Sequence, residues 1–171
     1  MKQKGFTLIE LVVVILIVGI LSVTASTKFL GVSSDARTAT MEGVKGAIQS
    51  AVDVTYGKLA TLGYENNPAL FAYGDNYPDL TEWCELCYFI YGYPGNMTST
   101  FPKIMAGVAQ DNSEEIQVGT GGEGMDAASI YFSFPDNFEG HRLKVDNCYV
   151  QYVPPIQNKT KEYSVRVVPC K

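Results

Sequence analysis

An α+β fold is predicted for this 171-residue chain: a long N-terminal helix, apolar in its first half and amphipathic in its second, packed on a small antiparallel sheet. Three observations carry that prediction. An unbroken apolar run extends from Phe6 to Ala25, interrupted by the single charge of Glu10. Helical periodicity then continues to about Leu62. The C-terminal part holds three short segments rich in β-branched and aromatic residues, Ser129–Phe134, Asn147–Val153 and Glu162–Val168.

Met1-Lys2-Gln3-Lys4-Gly5 forms a short basic leader. The 20 residues that follow span about 30 Å as a helix, enough to cross a hydrocarbon core. Lys2 and Lys4 before the span predict a cytoplasmic N-terminus, which puts the rest of the chain outside the cytoplasm. A carboxylate within a span is costly unless it faces a partner, so Glu10 calls for a second state in which it is paired. Two simpler readings compete. A secretory signal peptide would use Val23-Thr24-Ala25 as a cleavage-like site, but the apolar region is too long and carries a Glu. A plain anchor would leave Glu10 only to favour the helix N-terminal dipole.

Gly5-Phe6-Thr7-Leu8-Ile9-Glu10-Leu11 resembles the processing site of type IV prepilins. The resemblance implies a cut between Gly5 and Phe6 by a membrane prepilin peptidase and N-methylation of Phe6. It also implies that Glu10 pairs with the terminal amine of a neighbouring subunit's Phe6 during filament assembly. Physics supports the carry-over: an ammonium and a carboxylate attract more strongly in a poorly screened apolar core than in water, and lateral mismatch would leave both buried and unpaired. Glu10 would thus set axial register. Lys28-Phe29-Leu30, Asp35-Ala36-Arg37-Thr38-Ala39-Thr40 and Lys45-Gly46-Ala47-Ile48-Gln49 are similar to the mannose-sensitive haemagglutinin (MSHA) branch of that family, and Tyr91-Gly92-Tyr93-Pro94 echoes it. The similarity covers about the first 60 residues. Thr27 stands where the family has a helix-breaking proline, so the family's loss of helicity between Gly19 and Lys28 is not carried over.

In the amphipathic half, Met41, Val44, Ile48, Ala51, Thr55, Leu59 and Leu62 recur at steps of three and four. This strip is expected to pack on the remaining domain. Glu42, Lys45, Gln49 and Asp53 lie on another side, and Gly43, Gly46, Ser50 and Gly57 make a strip of small residues. Interior helix glycines cost about 1 kcal/mol each, which close approach of neighbouring subunits would explain and simple tolerance would not require.

Gly63 to about Asp126 is full of turn chemistry, so irregular structure is expected there, with one helix from Pro102 to about Ala109. Beyond it, His141–Val145 adds a strand or extends the second of the three. The last two strands are expected to pair antiparallel with Val153 facing Glu162 and Cys148 facing Val167, which brings Cys170 near Cys148.

Thirteen Lys and Arg against 18 Asp and Glu give a net charge of −5; without Lys2 and Lys4 the count is 11 against 18, or −7. That acidity argues against nucleic-acid binding. Four cysteines in an exported chain fit disulfides, with three possible pairings; Cys84–Cys87 with Cys148–Cys170 is preferred, and the sequence leaves the choice open. Trp83-Cys84-Glu85-Leu86-Cys87 superficially resembles a thioredoxin-type motif, but its approach, Tyr77 to Glu82, reads as a turn and Glu85 disfavours a thiolate. The cysteine spacing does not fit a zinc ribbon, and Asp126, Asp136 and Asp146 do not fit a calcium loop. Gly119 to Gly124 lacks the Lys-Ser/Thr of a phosphate loop. His141 has no nucleophile or acid arranged around it and reads as a surface or strand-edge histidine. Asn96-Met97-Thr98 and Asn158-Lys159-Thr160 are formal sequons only.

The expected organisation is a leader over 1–5, a transmembrane and filament-core helix over 6–25, its amphipathic half over 26–62, a connecting region over 63–126, and a sheet with a C-terminal disulfide loop over 127–171. The resemblance implies a type IV pilin fold and a non-enzymatic structural subunit, with no cofactor or metal. Its partners are copies of itself, the prepilin peptidase and the inner-membrane assembly machinery. It is expected as a single-pass inner-membrane protein before assembly and as extracellular pilus afterwards, serving surface attachment to a receptor the sequence does not identify. A minor pilin or a type II secretion pseudopilin would share the leader chemistry. The alternatives of a different class are an anchored periplasmic redox protein using Cys84 and Cys87 and an anchored binding module using the tyrosine-rich loop.

Overall fold

The computed structural model describes the backbone of residues 6–155 and 161–171, with the side chains of 24–31 excepted. The leader with Gly5, the Asn158 sequon and the Lys28-Phe29-Leu30 side chains therefore lie outside the described residues. Helix α1, Leu8–Thr61, is continuous past Gly19 and Thr27. It stops at Gly63, whose φ of +77° suits a residue without Cβ. The Tyr64 N–H donates to the Leu59 carbonyl at 2.9 Å and the Gly63 N–H to that of Ala60 at 3.1 Å, which satisfies two of the helix's last carbonyls.

Two compact units divide the chain, residues 1–37 and residues 38–171. In the first, every described side chain from Phe6 to Val23 is exposed. Among the described residues no helix is long and apolar enough to cross a membrane. The described apolar stretch stops at Val23; the side chains of Thr24 and Ala25, the end of the expected span, lie outside it.

The second unit is built around a mixed sheet. Strands β5 (Ile116–Thr120), β6 (Ile130–Ser133), β7 (Phe138–Glu139), β8 (Arg142–Leu143), β9 (Tyr149–Val153) and β10 (Ser164–Val168) lie in the order β10-β9-β6-β5-β8-β7, and β4 (Val108–Ala109) pairs parallel with β5. The β10–β9, β9–β6, β6–β5 and β8–β7 pairs are antiparallel, and β5–β8 is parallel. Met41 and Ile48 of the expected strip, with Val52 beside them, are fully buried with Val118, Phe132, Val150 and Tyr152, so this part of α1 packs on one sheet face. Each such side chain is worth about 1.5–3 kcal/mol when taken from water. Tyr131, Phe138, Leu143 and Tyr149 form a second cluster from the alternate positions. Because both faces are covered, β6 is buried at all four residues and shows little alternation.

A smaller sheet, β1 (Leu70–Ala72), β2 (Cys87–Ile90) and β3 (Tyr93–Pro94), packs with helix α2 (Pro78–Cys84) and Leu59 around a third cluster. This corrects the expectation of irregular structure over 63–126: a sheet, helix α2 and strands β4 and β5 all fall there. The single expected helix shrinks to one turn, α3 (Phe101–Ile104), because Met105 turns extended and Gly107 takes a φ of +79° before β4. Ile90↔Tyr93 closes a two-residue hairpin loop in which both Tyr91 and Gly92 have positive φ. His141–Val145 contributes β8 as a separate strand.

The C-terminal register is also corrected. Val153 faces Ser164 rather than Glu162, and Tyr149 faces Val168. The shift of two keeps the same faces inward. It takes Cys148 past Val167: the Cys148 N–H donates to the Pro169 carbonyl at 3.1 Å, beside Cys170.

Candidate functional site

Phe6 to Val23 holds one ionisable side chain, Glu10, in an otherwise apolar helical surface. Phe6 is 82% exposed, Leu8 80% and Ile9 71%. A continuous apolar surface of this length is not left in water by a lone soluble domain, so it marks an interface with lipid or protein.

Thr7 and Glu10 build the start of α1 together. The Thr7 N–H donates to Glu10 Oε2 at 2.8 Å, the Thr7 hydroxyl donates to the same oxygen at 2.6 Å, and the Glu10 N–H reaches Thr7 Oγ1 at 3.4 Å. This is the reciprocal arrangement by which a Thr and a Glu three residues on satisfy orphan N–H groups at a helix start. The Thr7-x-x-Glu10 spacing carries that signal; sequence reasoning set Glu10 against the helix dipole and against a distant partner, and missed its pairing with Thr7. Glu10 Oε1 accepts no hydrogen bond among the described residues. The carboxylate therefore caps its own helix with one oxygen and keeps the other open. Gly5, on the far side of the expected cut, lies outside the described residues.

The four cysteines are in the second unit. Cys84 is disulfide-bonded to Cys87, and Cys148 to Cys170. The approach to Cys84 is helix α2 rather than the expected turn: Pro78 opens the helix and Cys84 ends it. A thioredoxin-type nucleophile instead uses a helix N-terminus to stabilise its thiolate; here the first sulfur is at the C-terminal end, where the dipole opposes negative charge. Cys84 and Cys87 are 1% and 0% exposed. The carbonyls of Glu85 and Leu86 in the turn between them accept hydrogen bonds from the Lys103 ammonium and the Ser99 hydroxyl.

Cys148 sits at the head of β9 with a φ of +59°. Its carbonyl accepts from the Ser133 hydroxyl and, at 3.4 Å, from Asn137 Nδ2. His141 is exposed, and its Nδ1 lies 2.8 Å from the Gln110 carbonyl. Asn96 is exposed after β3, with the Thr98 hydroxyl accepting from Gln110 Nε2. Among the described residues no group of three or more His, Cys, Asp or Glu side chains is arranged to hold a metal ion.

Residues 1–26 match the family described as the prokaryotic N-terminal methylation motif. Over 51 residues the chain is 43% identical to the type IV narrow pilus major component PilA5 of Thermus thermophilus. That match takes in 30% of this chain and 44% of the relative, so the chain aligns with less than half of that protein's length. No solved structure matches the chain significantly.

Proposed function

We propose that the chain is the precursor of a type IV pilin, cut between Gly5 and Phe6, N-methylated on Phe6, and polymerised through its N-terminal helix. One observation carries the reading: the exposed apolar surface from Phe6 to Val23, with Glu10 as its sole charge, coincides with the residues that match the N-terminal methylation motif. Lipid covers that surface before assembly, with the N-terminus cytoplasmic and the cysteine-bearing unit outside. Identical helices cover it afterwards. The likeness to a type IV pilus component over 51 residues supports the same assignment.

The finer placement in the mannose-sensitive haemagglutinin branch rests on the resemblance of Asp35–Thr40 and Lys45–Gln49. Attachment to surfaces follows by analogy with that family. The prepilin peptidase and the inner-membrane assembly machinery are the partners this route requires. No catalytic residue or cofactor enters it; both disulfides act as structural clamps.

Mass spectrometry of the mature N-terminus, on material sheared from cells, tests the reading. N-methylated Phe6 is the expected result. A chain starting at Ser26 means signal-peptidase cleavage, and a retained Met1 means a plain anchor; either result overturns the proposal.

A further inference from the structure

The polar loop before β6 and the segment from β7 to Asp146 enclose a cleft of about 590 Å³, on the side of the main sheet carrying the Tyr131 cluster. That volume falls within the ~300–1,000 Å³ of small-ligand sites. Met125 and Val145, both only partly buried, give it an apolar floor. Arg142 and Lys144 line it, and so do Glu123 and Glu139. The four charged side chains form no ion pair or hydrogen bond with any other described residue. Glu139 and Arg142 are directly opposed in the β7–β8 pair, yet they form no ion pair with each other. Gly122 fixes one wall: a Cβ there would stand 2.1 Å from the Leu143 carbonyl oxygen, so only glycine lets the two backbones pass so closely.

Scattered surface charges are ordinarily just solvated. Here two cations and two carboxylates share one cleft over an apolar floor. Asp146 adds a third carboxylate, whose Oδ1 accepts from Asn147 Nδ2 at 3.1 Å. The lining thus carries three negative charges against two positive, which disfavours a simple anion. Self-pairing of exposed Glu139 and Arg142 in solution is a weak competitor for a bound partner. The complementary ligand carries both signs on a short apolar body.

We propose that this cleft binds a short zwitterionic peptide. Its terminal ammonium meets Glu123 and Glu139, its carboxylate meets Arg142 and Lys144, and an apolar side chain rests on Met125 and Val145. The inference stands independently of filament assembly, because it uses none of the residues of α1.

The test is titration of the full chain in detergent micelles with the tripeptide Ala-Leu-Ala, followed by amide NMR shifts. Saturable shifts confined to residues 122–125 and 139–146 are expected. N-acetylation or C-amidation of the peptide should each weaken binding at least tenfold, and Glu139→Gln and Arg142→Gln should each weaken the uncapped peptide similarly. Equal binding of a doubly capped peptide, the same shifts with acetate alone, or no localised shift at 20 mM peptide would overturn the proposal. The capped peptides decide the matter on the unaltered chain, whatever the variants do to folding.

Discussion

The Cys170 N–H donates to Thr38 Oγ1 at 3.0 Å, joining positions 132 residues apart. Cys170 is also disulfide-bonded to Cys148. One residue near the end of the chain is thus fixed both to the head of β9 and to α1. Thr38→Val keeps the side chain's shape but removes this hydrogen bond, at a cost of about 1 kcal/mol. The expected fall in melting temperature is roughly 2–4 °C per kcal/mol. Replacing Cys148 and Cys170 with Ala opens a loop with a sequence separation of 22 and should cost more, about 3 kcal/mol. Thermal scans followed by near-ultraviolet circular dichroism compare the two; an equal loss would show that the disulfide adds nothing to the hydrogen bond.

Tyr152 is fully buried and donates its hydroxyl to the Pro94 carbonyl at 2.6 Å. Burial pushes its phenol well above the ordinary range, and Tyr163 and Tyr93 add to the shift. The unfolded chain, titrating near pH 10, therefore ionises first. The stabilisation is complete below about pH 10 and is lost as pH rises through the folded-state value. Tyr93, Tyr131 and Tyr163 shift the same way, chiefly through burial. Tyr152→Phe should cost about 1 kcal/mol at pH 8 and make stability fall less steeply above pH 10. Melting temperatures between pH 8 and 11.5 decide it; parallel profiles for the two proteins would assign the alkaline loss elsewhere.

What the sequence made legible follows the strength of its periodicity. The apolar strip of α1 was readable because Met41, Ile48, Thr55 and Leu59 repeat over many turns, although Val52 was missed. β9 and β10 were readable from their β-branched residues. β5 was not, because Gly119 looked like the first residue of a glycine-rich loop. The glycine is there for a tertiary reason: strand β8 follows at close range, and no local pattern encodes a neighbour arriving from His141. The small sheet was hidden by strands of two to four residues embedded in turn chemistry. At the N-terminus, the charge of Glu10 drew attention from its local partner, Thr7.

Gly119 offers a direct check of that tertiary argument. A Cβ at this position would lie 2.2 Å from the His141 carbonyl oxygen and 2.6 Å from the Phe138 ring. The Thr120 N–H donates to the same carbonyl at 2.8 Å, so the strand cannot retreat without losing that bond. Gly119→Ala should therefore destabilise by about 1–3 kcal/mol, in the manner of overpacking. Gly43→Ala, where the added Cβ has open space, should stabilise the isolated subunit by up to about 1 kcal/mol. Opposite signs are expected in thermal unfolding; two losses of similar size would remove the close-approach account of Gly119.

Glu10 has two roles that one substitution series can separate. Its Oε2 caps α1 through Thr7, while Oε1 is open to a second donor. In the proposed filament that donor is the amine of a neighbouring subunit's Phe6, released by the cut after Gly5. Loss of a cap alone costs about 1 kcal/mol, too little to decide whether a long apolar helix inserts in a membrane. Loss of a charge partner in an apolar core leaves the neighbour's ammonium buried and unpaired, commonly worth about 3–5 kcal/mol. Thr7→Val, which removes the hydroxyl contacts and keeps the carboxylate, should leave filament yield within about twofold. Glu10→Ala should leave membrane insertion and processing intact and reduce sheared filaments at least tenfold. Gly5→Val should block processing, so its product keeps Met1 and enters no filament. Immunoblots of membrane and sheared fractions measure all three. If Glu10→Ala and Thr7→Val behave alike, Glu10 is a helix cap and sets no register.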